Sequence, residues 1–128
     1  LAEDEEIIAE RHLSVERTHM EKLLPSLDRM LTQTGLHVQQ AEAVAVGLGP
    51  GSFTGTRLGV VIAKTLSQAL EIPLVGIPSL DIIAAGSDEG ELVCALTDAR
   101  RNEVYSATYR RSEEGVERRL DEYRATQP

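Results

Sequence analysis

The 128-residue chain has no tryptophan, one phenylalanine and three tyrosines. Stacking platforms for single-stranded nucleic acid need aromatic side chains, so base stacking on this chain is disfavoured. Cysteine is as scarce: Cys94 is the only one. A lone thiol forms no internal disulfide, which fits a reducing compartment and predicts a cytoplasmic protein. Cys94 falls in the alternating stretch ELVCALT and is expected as a small buried hydrophobe. Long apolar runs and signal-peptide patterns are missing, so no membrane role is expected. Basic charge is short too, with 13 Lys/Arg against 21 Asp/Glu and a net charge of -8. Fourteen acids against six bases precede Asp98, and seven against seven follow from there. An acidic domain repels a phosphate backbone, so a nucleic acid would be held by a partner. His12, His19 and His37 have no metal-ligand spacing, and no metal site is expected.

What remains is the composition of a soluble globular protein, 41% apolar and 27% charged. The chain does not begin with Met and opens inside a strand-like pattern, which suggests a fragment. Residues 1–13 read as a hairpin with Glu3-Asp4-Glu5-Glu6 at the turn and Ile7, Ile8 and Leu13 on the returning strand. Residues 18–35 read as a helix. Thr18 and Glu21 have capping-box spacing, Met20, Leu23, Leu24, Leu27, Met30 and Leu31 share one face, and Gly35 is the stop. Pro25 lacks the N–H that would reach the carbonyl of Glu21, so a kink or a late start is expected.

EAVAVGL (42–48) and PLVGIP (73–78) are short apolar runs that suit buried strands. Between them, residues 54–70 read as a helix with Leu58, Val61, Ile62, Leu66, Ala69 and Leu70 as its apolar face. A short helix follows over 80–86. Gly86 to Gly90 is a break, after which ELVCALTDA and EVYSATYR alternate as two antiparallel strands. Asp98 would start the turn between them through its side-chain acceptor. The charged tail Glu113–Pro128 is expected to fray. The switch of pattern predicts a first α/β domain over 1–86 and the start of a second over 91–128.

The stretch GLGPGSFTGTRLG (47–59) places five glycines, Gly47, Gly49, Gly51, Gly55 and Gly59, between a strand and a helix. That is where phosphate loops sit, yet the stretch has no lysine and no register gives a P-loop. The dinucleotide fingerprint fails as well, because Ser52 stands where its third glycine belongs. Gly51-Ser52-Phe53-Thr54-Gly55 is not a nucleophile elbow, so Ser52 or Thr54 is better read as a helix N-cap. A direct phosphate role rests only on free N–H groups at a helix start. Arg57, on the first turn, runs against the helix dipole and is a candidate to meet an anion or a partner carboxylate. Gly51, Gly55, Gly59, Ala63 and Ser67 recur every four residues and form one side-chain-poor stripe. Close approach of this protein's own sheet and close approach of a partner helix both explain it.

GLGPGSFTGTRLGVVIAKTLSQALEIPLVGIPSLDIIA is similar to the signature stretch of the bacterial TsaB (YeaZ) family. RTHMEKLLPSL resembles its preceding helix, and LTDARRNEVYSATY resembles its D-A-R-x-x-E-V-Y segment. The resemblance implies an actin-like, RNase-H-like (ASKHA) α/β fold with a mixed sheet and packed helices. It also implies that the first strand, with its Asp-Thr-Ser segment, is missing and that the second domain is incomplete. The function implied is that of a non-catalytic adaptor in the machinery that makes N6-threonylcarbamoyladenosine (t6A) at tRNA position 37. Such a subunit pairs with the catalytic subunit TsaD and with itself through the helices at 18–35 and 54–70. A TsaE-like ATPase joins them, and tRNA is met only indirectly. The interface residues expected here are Met20, Leu24, Gly55, Leu58, Gly59 and Ile62. Gly51, Ser52, Thr54 and Arg57 could share an ATP or ADP with the partner, and no other cofactor is expected. In TsaD, the loop matching the one after PLVGIP carries the metal-binding histidines. Here it reads Pro78-Ser79-Leu80-Asp81, so neither a metal site nor catalytic residues are expected. The alternative is a stand-alone actin-fold nucleotide-binding enzyme or a metallopeptidase-like hydrolase.

Overall fold

The computed structural model describes residues 1–4, 6–13, 19–87, 91–112, 115–121 and 124–126, of which residues 19–21, 116–118 and 126 are described in backbone only. Backbone contacts group the chain into two units, Leu1–Glu42 and Ala43–Pro128.

The first unit opens with a hairpin as expected, but Glu3 and Glu6 belong to its strands and the returning strand ends at Ile7, so Ile8 and Leu13 lie outside it. Strands β1 (Ala2–Glu3) and β2 (Glu6–Ile7) pair antiparallel, Ala2 opposite Ile7. Asp4 takes the left-handed conformation, φ 53°, that a turn this tight requires; Glu5 is outside the described residues. Helix α1 runs from His19 to Thr34 and passes through Pro25. The late start is therefore corrected: the proline removes a single hydrogen bond, to the carbonyl of Glu21, and the helix continues around it. Thr18 of the expected capping box is outside the described residues. Gly35, at φ 71°, ends the helix. The N–H of Gly35 donates to Thr32 O at 3.3 Å and that of Leu36 to Leu31 O at 3.0 Å, the paired bonds of a Schellman cap.

In the second unit, β3 (Val44–Gly47) and β4 (Leu74–Ile77) form a parallel pair with Val44 opposite Leu74 and Gly47 opposite Ile77. Helix α2 (Phe53–Leu70) is the crossover between them. The bonds Val44 N–H to Pro73 O and Leu48 N–H to Ile77 O, both 2.9 Å, extend the ladder at each end. These strands are less buried than their composition predicts. Ala45, Gly47, Leu74, Val75 and Gly76 are exposed, and Val44, Val46 and Ile77 are half-buried. Among the described residues the pair is only two strands wide, with α2 against it, and its other apolar groups remain open. The Leu48 side chain lies over Gly76, where an added Cβ would come within 2.8 Å of it.

Helix α3 (Ser79–Ala85) packs on an antiparallel sheet of β5 (Leu92–Arg100), β6 (Glu103–Ser112), β7 (Gly115–Arg119) and β8 (Arg124–Thr126). β6 is flanked by β5 on one side and by β7 and β8 on the other. The core of the unit lies between α3 and this sheet: Leu80, Ala84, Ala95, Ala107 and Tyr109, with Val93 and Tyr105 packed against them. Register explains the selection. Val93 faces Tyr109, Ala95 faces Ala107 and Thr97 faces Tyr105 across the β5–β6 ladder, so these residues share one face. Cys94 has the opposite phase and is exposed with Leu92 and Leu96. That corrects its expected burial: Ala95, not Cys94, occupies the inward position.

The described residues of the tail expected to fray are paired, since β7 and β8 both pair with β6. Asp98 starts the β5–β6 turn as its chemistry predicts, its Oδ1 accepting the N–H of Arg100 at 2.7 Å. Arg100, Arg101 and Asn102 are all left-handed there, at φ 65°, 55° and 60°. Residues 88–90, within the expected domain break, are outside the described residues.

Candidate functional site

The glycine-rich stretch becomes the turn from β3 into α2. Gly49 sits at φ 87°, a conformation that disfavours any side chain, and is followed by a cis peptide to Pro50. Its carbonyl accepts the N–H of Ser79 at 2.7 Å, which ties the turn to the start of α3. Ser52 is the N-cap of α2: its Oγ accepts the N–H of Gly55 at 3.4 Å and its carbonyl that of Thr56 at 2.8 Å. The choice left open between Ser52 and Thr54 falls on Ser52, because α2 begins at Phe53. Arg57 is accordingly the fifth helical residue rather than part of the first turn, and the dipole cost assigned to it is small there.

The buried side of α2 centres on Ala63, 5% exposed. Thr56, Gly59, Val60, Leu66, Ser67 and Leu70 are half-buried around it. Ser67 closes the far end, its hydroxyl donating to Ile72 O at 2.6 Å while its carbonyl accepts the Ile72 N–H at 3.1 Å. Val61 and Ala69, placed on the apolar face by spacing, are exposed instead. Val61 lies two residues from Ala63, about 200° around the helix, and so on its far side.

The side-chain-poor stripe is divided. Ala63 and Ser67 belong to the chain's own packing, whereas Gly51 and Gly55 are exposed. Gly59 lies over β3, and a Cβ there would stand 3.7 Å from Val46 Cγ2. At Gly55 the nearest atom would be Ser52 Cβ at 3.5 Å. Both distances are ordinary van der Waals contact, so neither helical glycine is required by the packing among the described residues.

Of the other expected contact residues, Leu58 and Ile62 are half-buried, and Gly51, Ser52, Thr54 and Arg57 are exposed together at the start of α2. Leu24, on α1 in the other unit, is 50% exposed. Met20 is placed on α1 by its backbone alone. Sequence spacing missed Phe53, which is 73% exposed. The Arg57 guanidinium lies over its ring, 5.1 Å from the centroid. It also missed a cavity of about 500 Å³ lined by Leu48, Gly49, Pro50, Pro78, Tyr105 and Arg124 among others.

Chemistry-bearing groups elsewhere have structural work. Asp81, where the loop after PLVGIP enters α3, accepts the Tyr109 hydroxyl at Oδ1, 2.6 Å away. Asp121 accepts the Thr108 N–H at 2.7 Å and its hydroxyl at 3.2 Å. The backbone bond from Thr108 is the main cause that holds the Asp121 carboxyl below its ordinary range; the hydroxyl and the nearby Arg124 act in the same direction, against desolvation. His12 pairs with Glu10 at 2.9 Å on an exposed segment. Among the described residues no three His, Cys, Asp or Glu side chains gather as a metal site would need. None of the helices there is long and apolar enough to cross a membrane.

A β-turn-α-β unit followed by a helix-backed antiparallel sheet defines an α/β protein of the actin-like class. The solved structure "YeaZ from Pseudomonas aeruginosa" superimposes with a TM-score of 0.77 at 31% identity, over 87% of this chain and 53% of that one. A family model described as "TsaD: tRNA N6-adenosine threonylcarbamoyltransferase" matches residues 6–124. Several relatives bear the name "tRNA threonylcarbamoyladenosine biosynthesis protein TsaB". The one from Escherichia coli K12 is 40% identical over 103 residues, 78% of this chain and 45% of that protein. The one from Bacillus subtilis 168 is 34% identical over 110 residues, 85% of this chain and 48% of that protein. The chain belongs to the TsaB/YeaZ family. It spans about half the length of these relatives.

Proposed function

We infer that this chain acts in t6A biosynthesis as a non-catalytic adaptor, docking on a TsaD-like catalytic subunit through α2. The observation that carries this reading is the pair of helical glycines, Gly55 and Gly59. Each costs a helix about 0.5–1 kcal/mol relative to alanine. Each has room for a Cβ within its own chain, so intrachain packing does not offset that cost. At exposed Gly55 a second helix whose backbone approaches α2 closely would, as small residues permit at tight helix crossings, whereas Gly59 faces β3. α1, taken by itself, offers Leu24 as a further contact, and self-association would use the same elements. A TsaE-like ATPase and tRNA would be reached through the catalytic subunit, in the cytoplasm.

For ATP or ADP, the start of α2 supplies little. Ser52 already caps the Gly55 N–H, Arg57 already lies over Phe53, and the turn has no lysine. A nucleotide at this end would therefore take most of its contacts from the partner.

Gly55→Leu tests the reading, because Gly55 is exposed and the substitution leaves the helix's buried side intact. Analytical ultracentrifugation with the TsaD-like subunit should show loss of the complex. Unchanged heteromeric and self-association would show that α2 is not the docking element.

A further inference from the structure

Helix α3 does not cap itself. Its N-cap is Pro78, which makes no side-chain cap bond. Pro78 also has no N–H, so Asp81 at the third helical position has none to reach back to as in a capping box. Two other elements take up the groups at this helix start. The Ser79 N–H is one of the donors that a helix start leaves without an intrahelical partner, and it donates to Gly49 O at 2.7 Å. The Asp81 carboxylate goes to the sheet. Its Oδ1 accepts the Tyr109 hydroxyl at 2.6 Å, within the range of a charge-assisted bond, and Tyr109 is 1% exposed. Ser79 and Asp81 are two residues apart, about 3 Å of helix. Leu80 between them is fully buried in the core. Pro78 O closes the same turn by accepting the N–H of Asp81 at 3.1 Å and that of Ile82 at 3.2 Å. One anchored turn of helix thus carries a bond to the glycine turn and a bond to β6.

The glycine turn leads on to α2. Gly49 lies against Thr56, since a Cβ at Gly49 would stand 3.6 Å from Thr56 Oγ1. The Thr56 N–H in turn donates to Ser52 O at 2.8 Å as α2 begins. The cavity of about 500 Å³ is lined by Gly49 and Pro50 of the turn and by Tyr105 and Ala125 of the sheet, so direct packing does not fix one on the other there.

We propose that the first turn of α3 is a strut that sets the glycine turn, and with it the start of α2, from the core of the four-stranded sheet, with Asp81 and Tyr109 as its positioning residues. The strut acts whatever docks on α2, since each of its bonds lies within the chain. A ligand that shifts Gly49 is then felt at Tyr109, and a change at Tyr109 is felt at the turn, because coupling between two sites is reciprocal.

Amide hydrogen exchange of the full chain, followed by NMR under native conditions, tests the strut. Amides near the ends of elements exchange there by local opening rather than by global unfolding. Tyr109→Phe removes the bond to Asp81 and should speed exchange at Ser79 and Thr56 roughly tenfold or more. Val44 and Ile72 should be unchanged, because their bonds to Pro73 O and Ser67 O lie off the strut. Tyr105→Phe, on the same strand, is the control and should change none of the four. Ser79→Pro cuts the other bond. Pro78 already has the extended conformation that precedes proline, φ -60° and ψ 138°, and proline suits a first helical position. This variant should speed exchange at Thr56 and leave the amides of the β5–β6 ladder as in the wild type. An equal rise at all four amides in Tyr109→Phe would make Tyr109 a support of overall stability and overturn the strut. A rise at Ser79 without one at Thr56 would end the connection at α3 and overturn it as well. So would wild-type exchange at Ser79 in Tyr109→Phe, or at Thr56 in Ser79→Pro.

Discussion

Replacing Gly55 and Gly59 together by alanine separates fold from function at α2. An ideal Cβ at Gly55 lies 3.5 Å from Ser52 Cβ and at Gly59 3.7 Å from Val46 Cγ2. Both methyl groups fit without displacing a neighbour. Each substitution then removes the backbone-entropy penalty of a helical glycine, about 0.5–1 kcal/mol. The two sites contact different side chains, so the gains should nearly add, to roughly 1–2 kcal/mol. At about 2.1 cal/mol/K per residue, 128 residues have an unfolding entropy of about 0.27 kcal/mol/K. The double variant should therefore melt roughly 4–7 °C higher. Thermal and urea unfolding followed by circular dichroism would measure this, with the urea m-value unchanged. Binding to a TsaD-like subunit should weaken in the same protein, because the methyl group at exposed Gly55 holds a second helix away. A melting temperature that falls with either single substitution would refute the reasoning, since it would mean that the chain's own sheet needs the glycines.

Two further outcomes follow from the sheet of the second unit. Tyr109→Phe removes the hydroxyl that donates to Asp81 from the core, where Tyr109 is 1% exposed. The loss should be about 1.5–3 kcal/mol, the range for a hydrogen bond to a charged acceptor, and a double-mutant cycle with Asp81→Asn should show coupling; wild-type stability in Tyr109→Phe would show that the bond does not tie α3 to β6. Asp121, with its carboxyl held below the ordinary range chiefly by the Thr108 N–H, contributes stability that is complete above the unfolded carboxylate pKa of about 3.9 and lost as pH falls through the lower folded value. Asp121→Asn should therefore narrow its stability gap from the wild type in strongly acidic solution, and a gap independent of pH would contradict that assignment.

How far the sequence reaches can be read from particular elements. Periodicity and punctuation placed α2, β3 to β6 and the first hairpin, because those signals are local: a capping serine before a helix, Gly35 after one, and Asp98 before a reversal. The glycine turn was legible as a strand-to-helix junction for the same reason, and three motif segments carried the family. Burial was not legible. EAVAVGL and PLVGIP are apolar enough for buried strands, yet how much of a strand is covered depends on the layers that pack against it. Cys94 and Ala95 suit the inside equally well by composition, and only the register with Thr108 and Ala107 decided which turned inward. Val61 satisfied the helical spacing of an apolar face and still lies outside it, because the centre of that face is fixed by where β3 meets the helix. Sequence by itself therefore determined the order of the elements, the chemistry of the turns and the acid-free composition of α2. Tertiary structure alone decided that Gly55 and Gly59 have room to spare inside their own chain, and that Phe53, Arg57, Val61 and Lys64 face away from it. Room and direction are relations between segments distant in sequence, and no local pattern encodes them.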